Sequence, residues 1–131
     1  MTGSARRRWS GLVLAVLFLA TGLALHMLAP DTAASDVAGD VLYALLVYAL
    51  LMLVVPRLPA WGVAGAVLVW CTAVELFQLT GLPELWAVSF RPVVLVLGTV
   101  FDPRDLAVYA VAAIGAGVVD TFARPRVASW G

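Results

Sequence analysis

AWGVAGAVLVWCTAVELFQLT, residues 60–80, is an apolar run interrupted near its far end by Glu75 and Gln78. A carboxylate at bilayer centre is disfavoured by roughly 2.5–3.5 kcal/mol on insertion scales, so one inside such a run faces protein or water and has a partner. Glu75 is therefore read as the hub of a helical bundle. The other segments are read for the polar groups they bring to its level.

The composition decides the solvent. The chain has 131 residues, of which 63% are hydrophobic and 12% charged, with a mean hydropathy of +1.03. That is far more apolar than a soluble globular domain, so the expected fold is all-α, a polytopic membrane bundle forming a single membrane domain. Eight basic residues, all Arg, balance eight acids. With no net basic charge there is no footprint for nucleic acid. The single Cys71 lies in an apolar stretch, where it reads as a small buried hydrophobe and cannot form an intramolecular disulfide.

Apolar length places four crossings, over about residues 11–29, 40–56, 60–80 and 105–123. The first follows Arg6, Arg7 and Arg8, has His26 as its only titratable group, and spans about 28 Å at the α-helical rise. A basic start before an apolar run also describes a signal peptide. Against that reading, the run exceeds the usual length of about 7–15 residues, and no soluble domain follows. The stretch 30–39 reads as a loop. The second crossing has an uncharged part of only about 23 Å, so it recruits Asp40 or its neighbours. Ala60, Gly62, Ala64 and Ala66 give the third helix small-residue spacings suited to close approach. Residues 92–101 reach about 15 Å as a helix, which predicts an interfacial or re-entrant segment instead of a crossing. On the fourth helix, Asp105, Tyr109, Ala112 and Ala116 follow one face.

Arg residues concentrate in cytoplasmic loops near membrane crossings. Both termini are accordingly expected inside, which puts Arg6, Arg7, Arg8, Arg57, Arg124 and Arg126 on the inner side and leaves Arg91 and Arg104 outside. The same orientation sends Asp31, Asp36, Asp40, Glu75, Glu84, Asp102 and Asp105 to the outer half, with Asp120 alone at the inner end. Asp40 and Tyr43, Glu75 and Gln78, and Asp105 and Tyr109 then converge near the outer leaflet. Arg91 is the expected partner of Glu75, because its fork of donors suits carboxylates, with Asp105 sharing the contact. Trp61, Trp86, Tyr109 and Trp130 read as interface anchors.

The series Gly39-Asp40-Val41-Leu42-Tyr43-Ala44, Glu75-Leu76-Phe77-Gln78, Arg91 and Asp105-Leu106-Ala107-Val108-Tyr109 resembles the domain of unknown function 2809 family (DUF2809). The likeness runs from the first helix to the last. It implies a small multi-pass protein of the bacterial inner membrane. The Glu-x-x-Gln, Arg, Asp order is also similar to the VanZ-like family, whose last helix has Asn where this chain has Tyr109. Neither family brings an established reaction.

Three functional classes stay open. In the first, Asp40, Tyr43, Glu75, Gln78, Arg91, Asp105 and Tyr109 form a binding site for a lipid headgroup, an envelope precursor or a small solute, with Arg91 meeting an anionic lipid group. In the second, they clasp helices in a structural subunit that docks on a membrane-protein partner or on another copy of itself. In the third, Glu75 and Asp105 act as acid and base on a lipid-linked substrate. No nucleophile completes that drawing, since Ser89 and Thr99 lack a flanking base. A hard cation could use Asp40, Glu75, Asp102 and Asp105, but no clustered loop spacing supports a metal site. No cofactor motif is present.

Overall fold

The computed structural model describes residues 2–98 and 101–124; Arg126, Trp130 and Thr99 lie outside them. Among the described residues the elements are all helical: α1 (Gly3–Leu28), α2 (Ala33–Val54), α3 (Ala60–Gln78), α4 (Leu82–Ser89), α5 (Val93–Leu97) and α6 (Pro103–Ala123). Four of them, α1, α2, α3 and α6, are long and apolar enough to cross a membrane. The protein is thus an all-α polytopic bundle. The five-residue α5 and the eight-residue α4 are too short to cross, at about 8 and 12 Å.

The capping chemistry sets helix ends that apolar length alone missed. α1 begins at Gly3, well before the expected residue 11, because Thr2 Oγ1 accepts the Ala5 N–H at 3.0 Å and Arg is a good helix former. α2 begins at Ala33 and takes in most of the expected loop. Thr32 Oγ1 accepts from Ser35 N–H at 3.1 Å while Ser35 Oγ accepts from Thr32 N–H at 2.9 Å, a reciprocal cap. Its 22 residues span about 33 Å, so the second crossing is full length and not short. Asp102 caps α6 by accepting Arg104 N–H at 2.9 Å, with Pro103 at the first helical position.

The four long helices run alternately up and down. Arg7 near the start of α1, Tyr48 near the end of α2, Ala60 at the start of α3 and Asp120 near the end of α6 are linked at one end of the bundle. Asp40, Glu75 and Tyr109 meet at the other. The core between α2, α3 and α6 consists of Ala44, Tyr48, Met52, Val63, Ala64, Val67, Cys71, Tyr109, Ala112 and Ala113. Small residues recur because helices in an apolar solvent associate through close packing and not through exclusion of water. Gly117 shows this on α6: a Cβ there would lie 3.2 Å from the Ala64 Cβ.

α1 packs on α2 along a narrow row of Arg7, Gly11 and Ala15. A Cβ on Gly11 would stand 2.7 Å from the Ala49 carbonyl oxygen and 2.8 Å from the Leu53 nitrogen. Both are backbone atoms that cannot turn aside. Gly11→Ala is accordingly expected to push α1 off α2 and to cost about 1–3 kcal/mol, read as a lowered midpoint of unfolding in detergent. Gly22→Ala on the same helix meets nothing within 4 Å and is expected to leave the midpoint unchanged or slightly raised.

Candidate functional site

Three helices deliver a carboxyl each to one place. α2 supplies Asp40, α3 supplies Glu75 and α6 supplies Asp105, close enough to act electrostatically on both of the others. The Tyr109 hydroxyl, one turn below Asp105, lies 3.4 Å from Asp40 Oδ1. Glu75 is fully buried, with 0% of its surface exposed. Its Oε2 accepts the Asp102 N–H at 3.4 Å, while its Oε1 has no partner among the described residues. A buried polar atom left unpaired is costly and marks a place where an additional donor fits.

Electrostatics set the chemistry of this group. Like charges gathered in a low dielectric repel one another unless a cation lies among them. The expected cation is elsewhere. Arg91 is exposed in the turn between α4 and α5 and makes no ion pair with Glu75, which corrects the sequence-based pairing. The physical reason is local: α4 is a helix in its own right, with the Phe77 and Trp86 rings 5.5 Å apart, and Arg91 follows it into an exposed turn. Arg104, the other cation at this end, turns to Asp102, with Nη2 3.0 Å from Oδ2. That guanidinium holds the Asp102 carboxyl below the usual carboxylate range.

Tyr43 and Gln78 have a task that sequence spacing did not reveal. The Tyr43 hydroxyl donates to the Val96 carbonyl at 2.6 Å and accepts from Trp70 Nε1 at 2.9 Å. Gln78 Nε2 donates to the Leu97 carbonyl at 2.6 Å. Both carbonyls belong to the last turn of α5, where a helix leaves its C=O groups unpaired. In a membrane such groups must be satisfied by protein. The two side chains thereby fasten the short segment over the carboxyl cluster. Gln78 Oε1 is buried and, among the described residues, unpartnered.

A cavity of about 620 Å³ opens beside this arrangement, with Asp40, Tyr43, Gln78, Gly98, Asp105 and Tyr109 in its wall. Arg91 is not in the wall, and Glu75 sits behind it. The exposed His26 lines the rim. Among the described residues no group of His, Cys, Asp or Glu is arranged to hold a metal ion. The wall also holds Arg104, whose guanidinium is paired with Asp102; what it leaves open is carboxyl oxygens, an amide and phenols, a surface for a ligand rich in hydrogen-bond donors.

Residues 29–113 match the family described as "Protein of unknown function (DUF2809)". The chain belongs to DUF2809. The DUF2809 region contains Asp40, Tyr43, Glu75, Gln78, Asp105 and Tyr109, and hence the whole carboxyl cluster. No curated protein and no solved structure matches the chain.

A second polar group lies outside the matched residues for the most part. Arg7 Nη1 and Nη2 donate to Asp120 Oδ1 and Oδ2 at 2.8 and 2.6 Å, a two-pronged pair with Arg7 only 4% exposed. The Tyr48 hydroxyl donates to the same carboxylate at 2.5 Å, and Arg124 Nη2 approaches it to 3.1 Å. By charge alone Arg7 is equivalent to Arg6 and Arg8, one of three topology signals. The available signals were a lone acid among the basic residues of that end and the Arg7, Gly11, Ala15 row at helical spacing.

Proposed function

We propose that this DUF2809 protein is a binding protein of the bacterial inner membrane, with both termini cytoplasmic, whose outer-leaflet cavity takes a ligand bearing an amine or several hydroxyls. The reading rests on one observation: Asp40 and Asp105 stand in the cavity wall, beside a fully buried Glu75 whose Oε1 has no partner among the described residues, and none of the three is ion-paired with a described arginine. An ammonium or polyol group, on a lipid headgroup, an envelope precursor or a small solute, supplies the donors that this set lacks. An anionic headgroup suits the cavity less well, because Arg91 lies outside its wall and Arg104, which is in the wall, is already paired with Asp102. The orientation is supported by charge: Arg6, Arg7, Arg8, Arg57 and Arg124 gather at one end, against Arg91 and Arg104 at the other.

The test compares small molecules and lipids extracted from purified wild type and from Glu75→Gln. That change keeps shape and removes the carboxylate. The expected result is an amine- or hydroxyl-bearing compound at near one per chain in the wild type, and a loss of about tenfold or more in the variant, the scale of one charge-assisted hydrogen bond. Thermal unfolding of both proteins accompanies the extraction. Equal ligand content, or an empty wild type whose Glu75→Gln form only melts earlier, overturns the binding reading in favour of a clasp between helices.

A further inference from the structure

The end of the bundle opposite the carboxyl cluster carries a pocket of its own. It has a volume of about 440 Å³ and lies where α1 begins and the α2–α3 turn passes, between Thr2, Ser4, Arg8, Val55 and Arg57. Its two guanidiniums come from different elements, and no acid is in its wall. The basic residues of this end divide into two sets. Arg7 and Arg124 are bound to Asp120. Arg8 and Arg57 are exposed and have no carboxylate partner among the described residues. The positive end of the α1 dipole adds to the same field.

The depth of the pocket follows from its neighbours. Trp9 and Trp61 are 59% and 58% exposed at this end, and exposed Trp side chains settle at the headgroup level of a bilayer. Val54 and Val55, also exposed, give the pocket an oily lower edge where acyl chains continue. We propose that Arg8 and Arg57 form a binding site for the phosphate of an anionic phospholipid, with the lipid tails running down beside the α2 terminus. Two arginines at headgroup depth hold a phosphodiester by forked, charge-assisted hydrogen bonds that a scattered basic surface does not provide. The site is independent of the carboxyl cavity and stands or falls without it.

The experiment is native mass spectrometry of the detergent-solubilised protein with added phosphatidylglycerol, phosphatidylcholine or inorganic phosphate. Wild type is compared with the double variant Arg8→Gln/Arg57→Gln and with Arg6→Gln, an exposed arginine outside the pocket wall. Wild type is expected to retain phosphatidylglycerol about tenfold over phosphatidylcholine, the double variant to lose that preference, and Arg6→Gln to keep it. Only ions of the folded monomer are scored, so a fall in yield does not mimic a loss of binding. Equal retention by the double variant, or equal loss in Arg6→Gln, overturns the site. Displacement of the lipid by millimolar inorganic phosphate assigns it to free phosphate and overturns the lipid source.

Discussion

Asp120→Ala is expected to destabilise the bundle by about 3–5 kcal/mol, the cost of leaving one partner of a buried ion pair uncompensated. Arg7 would keep its charge at 4% exposure with both Nη groups robbed of their Asp120 acceptors, and its Nε already lacks one among the described residues. The Tyr48 hydroxyl would lose its 2.5 Å bond to Asp120 and retain only a long 3.5 Å contact with the Ala60 carbonyl. Arg124 would fare better, since its Nη2 also donates to the Leu58 carbonyl at 2.9 Å. The asymmetry makes a second variant informative. Replacing both charges, as Arg7→Met with Asp120→Leu, removes the unpaired ion and is expected to recover most of the loss. Unfolding of the purified protein in mixed micelles measures both. A deficit under about 1 kcal/mol for Asp120→Ala, the worth of an exposed pair, would show that water reaches this group.

Gly98→Ala is the other large effect, and it acts on the roof of the cavity. Gly98 has φ +62° and ψ −160°, a region open essentially to glycine alone, which costs any other residue about 1–3 kcal/mol. A Cβ there would also come within 2.5 Å of Gln78 Nε2, the donor that holds the Leu97 carbonyl. The side chain can swing away, but only by giving up that bond, for about a further 1 kcal/mol. Release of α5 is the expected outcome: faster amide hydrogen exchange over 93–98 and weaker retention of any cavity ligand, while exchange in the core of α1 stays unchanged. Gly81 offers the control. It too has positive φ, but a Cβ there meets nothing within 4 Å, so Gly81→Asn is expected to leave α5 in place.

The crossings were readable because lipid permits few alternatives. A long apolar run in this solvent must close its own backbone hydrogen bonds, and a helix is the single-segment way to do so. The runs at 60–80 and 105–123 correspond closely to α3 (Ala60–Gln78) and α6 (Pro103–Ala123). Hydropathy puts the starts of α1 and α2 late because it sees only the oily part of a helix. Thr2 and Thr32, which decide the starts by capping, carry no hydropathy signal.

The polar cluster was readable to a different degree. Alternating helix direction sends Asp40, Glu75 and Asp105 to one level, and they are near enough there to influence one another electrostatically. Arg91 was assigned to them on charge alone, and charge does not say which way a side chain leaves a turn. Arg7 shows the converse: charge alone puts it at the membrane boundary, yet where α1 approaches α2 closely at Gly11 it is buried and bonded to Asp120.

The sequence by itself determined the solvent, the four helices able to cross and the shared end of Asp40, Glu75 and Asp105, since these follow from apolar length and from the alternation of helix direction. Only the tertiary structure decided which ions are paired. A partner is chosen by a few ångströms of side-chain reach and by how closely two backbones approach, as at Gly11 against Ala49, and neither quantity is written in the order of residues along one helix.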